Sequence, residues 1–122
     1  MDLKGTLERE YEAYKKIQQD LSKAVSARTQ LVSQATENEG VMEELKVLGE
    51  DANVYKLVGP ALVKQDLIEA KSNVSKRISY IKAELDRVDG QIKAFEGKSK
   101  EKEQELLKLQ KRLQSASPKA AA

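Results

Sequence analysis

Apolar residues recur along the C-terminal half of the chain in alternating steps of four and three. Written as a heptad, its a positions are Ile78, Leu85, Ile92, Ser99, Leu106 and Leu113, and its d positions are Val74, Ile81, Val88, Phe95, Lys102 and Leu109. A repeat sustained over five heptads predicts a coiled-coil helix rather than an ordinary amphipathic one. Ser99 and Lys102 are consecutive polar positions in this seam, and we expect them to loosen the pairing near the C-terminal end.

The N-terminal segment follows the same repeat with more interruptions. Its a positions are Leu7, Tyr14, Leu21, Arg28, Ala35 and Met42, and its d positions are Glu10, Ile17, Ala24, Leu31, Asn38 and Leu45. Arg28 and Asn38 interrupt the apolar seam, and an Asn in such a position commonly fixes the register of pairing at some cost in stability. This segment therefore predicts a second coiled-coil helix.

The residues between the two repeats have a different character. Gly49 stands where a left-handed residue commonly ends a helix, which predicts helix one over residues 1–48. Asp66 and Glu69 resemble a capping box and predict that helix two covers 66–114. Within 49–65, Val54–Val58 and Ala61–Gln65 favour two strands joined at Gly59-Pro60, with an irregular loop as the alternative. Residues 115–122 lack the repeat and are predicted to be a disordered tail.

The short connection favours antiparallel pairing of the two helices within one domain, 1–122. The predicted fold class is mainly α: a long coiled-coil hairpin of two helices joined by a single β-hairpin that joins an oligomeric β-barrel. A lone two-stranded sheet is marginal in water, and barrel closure removes its unpaired edges. The predicted assembly residues are apolar: Val54, Tyr55, Leu57, Val58, Ala61, Leu62 and Val63. The alternative is a hairpin folded back onto its own coiled coil.

Antiparallel pairing would also bring the two chain ends together. The apolar residues expected there are Leu3, Leu7, Tyr11, Tyr14, Leu106, Leu107, Leu109 and Leu113. Partly exposed apolar groups at the ends of the helices could bind another protein's apolar surface. Ordinary packing in the seam is the alternative explanation for most of them.

The composition removes most catalytic classes. The chain has no His, Cys or Trp, which excludes a thiolate nucleophile, a histidine base, a zinc finger and a disulfide framework. No GxxxxGK phosphate loop occurs. We therefore expect a protein that is not an enzyme and has no cofactor and no metal site.

The charges are nearly balanced, with 22 basic and 20 acidic residues and a formal net charge of +2. Because the two signs are interspersed, solvated helix faces explain them better than a nucleic-acid surface does. The charged N-terminus does not resemble a signal peptide, and no apolar run approaches the roughly 18 residues of a membrane span. These features predict a soluble, intracellular chain that binds neither nucleic acid nor membrane.

One stretch of sequence indicates a particular protein family, which the heptad repeat alone does not. The run VYKLVGPALVKQDL, Val54 to Leu67, followed by EAKSNVSKRISYIKAEL, resembles the β-class subunits of prefoldin. The close match extends from Val54 to Leu85, and the outer halves of both helices match in pattern.

The resemblance implies a heterohexamer of two α-class and four β-class subunits, so the partners would be two α-class and three further β-class chains. It implies that the hairpins build a barrel and that both chain ends line a client cavity. The implied activity is ATP-independent holding of non-native proteins, notably actin and tubulin, for delivery to the cytosolic group II chaperonin. The implied location is the cytoplasm, which is compatible with a nuclear pool. The residues alone leave open a structural scaffold or tether that binds a fixed helical partner, and nucleic-acid binding as a third hypothesis.

Overall fold

The computed structural model describes residues 2–116. Along the chain the elements are α1 (Leu3–Lys46), β1 (Val54–Val58), β2 (Ala61–Gln65) and α2 (Leu67–Ala116). Two long helices joined by one small antiparallel sheet confirm the predicted helix–hairpin–helix fold. The chain divides into two compact units: one formed by the described parts of 1–27 and 88–122, and the other by 28–87.

Both strands have the predicted bounds. They pair antiparallel from Val54 opposite Gln65 to Val58 opposite Ala61, with Gly59 and Pro60 as the two-residue turn. Gly59 has a φ of 57°, a conformation that side chains with a Cβ disfavour. A glycine with positive φ at the first central position, followed by a residue with negative φ, matches the type II′ hairpin turn, whose twist suits the flanking strands.

The C-terminal end of α1 differs from the prediction. The helix ends at Lys46, two residues before the expected Leu48, and its last turn tightens: the Val47 and Leu48 amides donate to the carbonyls of Glu44 and Leu45, each three residues back. Gly49 has no positive φ, so the predicted left-handed cap is wrong. Gly49 instead opens a turn in which its carbonyl accepts from the Ala52 amide at 3.0 Å.

The bounds of α2 also shift slightly. Asp66 precedes the helix, and its backbone carbonyl accepts the first bond, from the Ala70 amide at 2.9 Å. Among residues 2–116 neither Asp66 nor Glu69 makes the side-chain bonds of a capping box, so only its position at the start of the helix was predicted correctly. At the other end α2 continues through Ala116, so residues 115 and 116 of the predicted tail are helical. The remaining tail, 117–122, lies outside the described residues.

The heptads describe the buried surface well. Every assigned a and d position is buried or half-buried except Arg28, which is exposed. The core is narrow, because a pair of helices encloses little space. In unit 28–87 it consists of Leu45, Ala70 and Val74. The partly buried side chains packed against them are Met42, Val54, Leu67 and Ile78.

The polar interruptions in α1 behave differently from one another. The side chain of Asn38 is half-buried and donates to the Gln34 carbonyl of its own helix at 2.7 Å. This bond satisfies the Asn38 amide without a partner from α2, so the bond does not supply the register-fixing contact expected of a seam Asn.

Within the described part of the chain, neither helix contains an apolar stretch long enough to cross a bilayer.

Candidate functional site

The β-hairpin exposes apolar side chains on both of its faces. Residues directly opposite each other in an antiparallel pair point to the same face, so the Leu57–Leu62 pair shares one face with Tyr55. Val58 and Val63 lie on the other face. Leu57 and Leu62 are each 68% exposed, and Tyr55, Val58, Ala61 and Val63 are also exposed. A lone two-stranded hairpin is marginally stable in water, and an exposed apolar surface of this kind is typical of an interaction site.

Val54 is the exception among the seven predicted assembly residues. It is half-buried and packs against the core cluster of Leu45, Ala70 and Val74, so it anchors the start of β1 to the helices. The other six side chains are exposed, although Tyr55 lines a groove together with Leu45, Ala70 and Val74. The hairpin therefore packs on its own helices mainly through Val54, and most of its apolar surface is uncovered.

At the other compact unit, polar pairs join the helix ends across the seam. The Gln18 amide donates to the buried Ser99 hydroxyl at 2.6 Å, and the Lys102 ammonium donates to Glu10 at 2.5 Å. The Tyr14 hydroxyl donates to Glu103 at 2.8 Å. Ser99 and Lys102, which the sequence led us to expect as weak points, are thus each bonded to the opposite helix.

These contacts shift the ionisation of three side chains. The hydrogen bond from Lys102 lowers the pKa of Glu10 below its ordinary value, and the same bond raises the pKa of Lys102. The hydrogen bond to Glu103 raises the pKa of Tyr14. All three shifts favour the protonation states that keep the cross-helix bonds at neutral pH.

The eight predicted client-binding residues divide by exposure. Tyr11 is 51% and Leu107 is 56% exposed, whereas the other six are half-buried: Leu3, Leu7, Tyr14, Leu106, Leu109 and Leu113. Most of the set is therefore only partly accessible to another protein. Tyr11 is an e position and Leu107 a b position, which border the same side of the paired helices. These two are the apolar side chains of the set most available to another protein.

The end of the molecule that carries Tyr11 and Leu107 also carries charged side chains. A groove of about 330 Å³ is lined by Thr6, Glu10, Glu105, Lys108, Leu109 and Arg112. The Lys15 ammonium lies 5.4 Å from the centre of the Tyr11 ring, a cation–π distance. The contact between Glu10 and Lys102 was not predicted: their opposite charges at d positions are visible in the sequence, but the register that places them opposite each other is not.

The hairpin and the paired helix ends define the class of protein: a chain of two long coiled-coil helices with an exposed apolar β-hairpin between them. A family model described as Prefoldin subunit matches residues 8–115, and the chain belongs to the prefoldin family. Prefoldin subunits are chaperone-type proteins without enzymatic activity.

Individual relatives support the same assignment. Prefoldin subunit 6 of Arabidopsis thaliana is 50% identical over 114 residues, covering 93% of this chain and 88% of that one. Prefoldin subunit 6 of Homo sapiens is 44% identical over 110 residues, covering 90% and 85%. Among solved structures, the prefoldin beta subunit from Thermococcus strain KS-1 is similar, with a TM-score of 0.61, 25% sequence identity and 91% of each chain covered.

Proposed function

We propose that this chain is a subunit of a prefoldin-type heterohexameric co-chaperone in the cytoplasm, with two α-class and three further β-class chains as its partners. The observation that carries the proposal is the β-hairpin, which exposes apolar side chains on both faces. Prefoldin family members form hexamers with other prefoldin subunits, and a barrel of such hairpins would cover these faces and pair the free strand edges.

The helix ends support the second part of the proposal, the binding of non-native proteins. Tyr11 and Leu107 present a small apolar surface bordered by charges, which suits weak contact with an unfolded chain better than tight binding of one partner. Six such ends around one cavity would raise the effective concentration of contacts, so a non-native protein is held without any single strong site. Because each contact is weak, release can occur one contact at a time and needs no nucleotide.

The proposed clients are non-native proteins, with actin and tubulin foremost, and the proposed acceptor is the cytosolic group II chaperonin. This part of the proposal rests on membership of the prefoldin family. The competing hypothesis, a tether for one helical partner, predicts no activity toward unfolded chains.

The test uses the complete complex, co-expressed with its partner subunits. Chemically denatured actin is diluted into buffer without ATP, and aggregation is followed by light scattering. We expect the wild-type complex to suppress scattering at near-stoichiometric amounts. Replacement of the two exposed apolar side chains, Tyr11→Ser with Leu107→Ser, should reduce suppression several-fold, because contact affinities multiply across the cavity.

The matched control is Val25→Ser with Val32→Ser, which removes two exposed apolar side chains from e positions further along α1. This control should suppress aggregation as the wild type does. A wild-type complex that leaves aggregation unchanged would contradict the holding function and favour the tether. Equal losses in both double variants would contradict the assignment of client binding to the helix ends.

A further inference from the structure

A groove runs beside β1 within unit 28–87. It consists of two adjoining cavities, of about 180 Å³ next to the strand and about 440 Å³ further along the helices, and Arg77 lines both. β1 contributes three consecutive residues to the lining, Val54, Tyr55 and Lys56, whereas β2 contributes only Gln65. The groove, called the β1-side groove below, therefore lies on the β1 side of the hairpin.

The β1-side groove is basic. Lys56, Lys76 and Arg77 line it, and none of its lining residues is Asp or Glu. Within residues 2–116 no carboxylate forms an ion pair with any of these three cations. Three unneutralised cations along one groove favour an acidic ligand.

Apolar and aromatic side chains accompany the cations. Tyr80 is 66% and Tyr55 54% exposed, and Val41 is also exposed; all three line the groove. An aromatic and aliphatic lining next to cations fits a peptide segment that carries both carboxylates and apolar side chains. A simple anion such as phosphate would leave the tyrosine rings and Val41 uncovered.

The position of the groove indicates where such a segment comes from. β1 pairs with β2 on one side only, so its outer edge is open to a strand from another chain. A strand added along β1 would bring the residues next to its own end into the groove, because the groove begins at Val54–Lys56. The occupant is thus a segment that flanks a β-strand.

This chain carries acidic segments at the corresponding places in its own sequence. Glu50 and Asp51 precede β1, and Asp66 and Glu69 follow β2. Residues 47–53 before β1 contain two acidic side chains and no basic one, and residues 66–69 after β2 likewise contain two acidic side chains and no basic one. One subunit of this kind thus presents a basic groove and acidic strand flanks, the complementary halves of a head-to-tail contact.

We propose that the β1-side groove binds the acidic segment flanking a β-strand of the adjoining prefoldin-family subunit, and so selects which subunit stands next to β1. This inference rests on the proposed function, since it requires the assembled hexamer. On the proposed function, the exposed apolar side chains of this hairpin supply one contact with the neighbouring subunits. The groove adds a charge contact that distinguishes one neighbour from another.

The direct test places a photo-reactive residue in the groove of the complete complex. Tyr80 is replaced by p-benzoylphenylalanine, which is similar in shape, and Lys93, an exposed position outside the groove, carries the same residue as the control. After irradiation, the cross-linked peptides are identified by mass spectrometry. We expect Tyr80 to cross-link to a strand-flanking acidic segment of one other subunit and Lys93 not to do so.

Cross-links from Tyr80 to a client protein, or an intact complex with no cross-link to a neighbouring subunit, would overturn the inference and leave the proposed function standing. Failure of the unmodified chain to enter any multi-subunit complex would overturn both. The two failures are distinguished by the mass of the complex before irradiation.

A charge reversal supplies an independent measurement. Lys76→Glu with Arg77→Glu is compared with Lys93→Glu with Lys98→Glu, which changes the net charge equally at exposed positions of the same helix. In exchange against excess tagged wild-type subunit at low salt, the groove variant should leave the complex about tenfold faster, and the control should exchange at the wild-type rate. The difference should shrink in 1 M salt, where charge contacts are screened. Equal exchange of both variants would overturn the inference.

Discussion

Glu10 and Lys102 are charged residues that interrupt the apolar heptad pattern, and in the structure they contact each other. Each occupies a d position, where an unpaired charge would cost stability, and each bonds to the other across the helix pair. Gln18 and Ser99 form a second polar contact nearby. At the scale of single residues, the polar seam positions near the helix ends are therefore specific pairing contacts.

The Glu10–Lys102 pair predicts a pH dependence of stability. Because the pKa of Glu10 is lower in the folded chain, its contribution is present above the unfolded value, near 4.5, and is lost as the pH falls through the folded value. The pKa of Lys102 is raised, so its contribution is lost only as the pH rises above about 10.4. Glu10→Gln should lower the free energy of unfolding by up to about 1 kcal/mol at pH 7, and the difference should be smaller at pH 3.

Thermal unfolding followed by circular dichroism at both pH values measures this difference. The matched control is Glu12→Gln, because Glu12 forms an exposed ion pair with Lys15 on its own helix and should matter less at either pH. A destabilisation by Glu10→Gln that is as large at pH 3 as at pH 7 would show that the carboxylate charge is not its cause.

These residue contacts could not be predicted from the sequence, because they depend on the relative register of the two helices. Each heptad was assigned from its own segment, and the assignment fixes which face is buried but not which residue of α2 stands opposite Glu10. Arg28 also shows the limit of the pattern. It occupies an a position yet lies exposed, since a long charged side chain can extend out of a narrow core.

At the scale of elements, the hairpin was predicted better than the helix ends. β-branched, aromatic and aliphatic residues on either side of Gly-Pro favour two strands, and Gly-Pro favours a turn between them. The end of α1 depends instead on a balance of weak bonds. The last turn tightens at Val47 and Leu48, so the helix ends before Gly49 can cap it. The presence of a glycine does not by itself show whether a tightened turn or a left-handed glycine cap has the lower free energy.

The turn conformation gives a prediction at this scale. Gly59→Ala places a Cβ on a backbone with φ of 57°, which costs about 1–2 kcal/mol, although no atom lies within 4 Å of that position. We expect the hairpin amides of Lys56 and Val63 to exchange hydrogen several-fold faster, while helix amides are unchanged. Native-state hydrogen exchange measures both.

Gly97→Ala is the matched control, since Gly97 also has open space around its Cβ position but lies in a helix. There alanine should stabilise by about 1 kcal/mol, because glycine loses more backbone freedom in a helix. Unchanged hairpin exchange in Gly59→Ala would contradict the proposed role of the turn in fixing the hairpin.

At the scale of the whole molecule, the chain combines a thin helical seam with a two-stranded sheet whose apolar side chains are exposed. The burial pattern of the seam followed from periodicity, and the proposal of partner subunits followed from the apolar composition of the hairpin. What periodicity could not supply was the β1-side groove. Its cations come from β1 and α2 and its apolar side chains from α1, β1 and α2, and only the folded unit brings them together.

The central claim is that this chain completes its fold by hairpin assembly in a prefoldin-type complex. Native mass spectrometry of complexes purified through a tag on this chain tests it most directly. We predict a hexamer with five other coiled-coil subunits, and loss of the chain from it on Leu57→Asp with Leu62→Asp but not on the control Val25→Asp with Val32→Asp. A homodimer, a complex with one large partner, or a hexamer that retains the hairpin variant would contradict the claim.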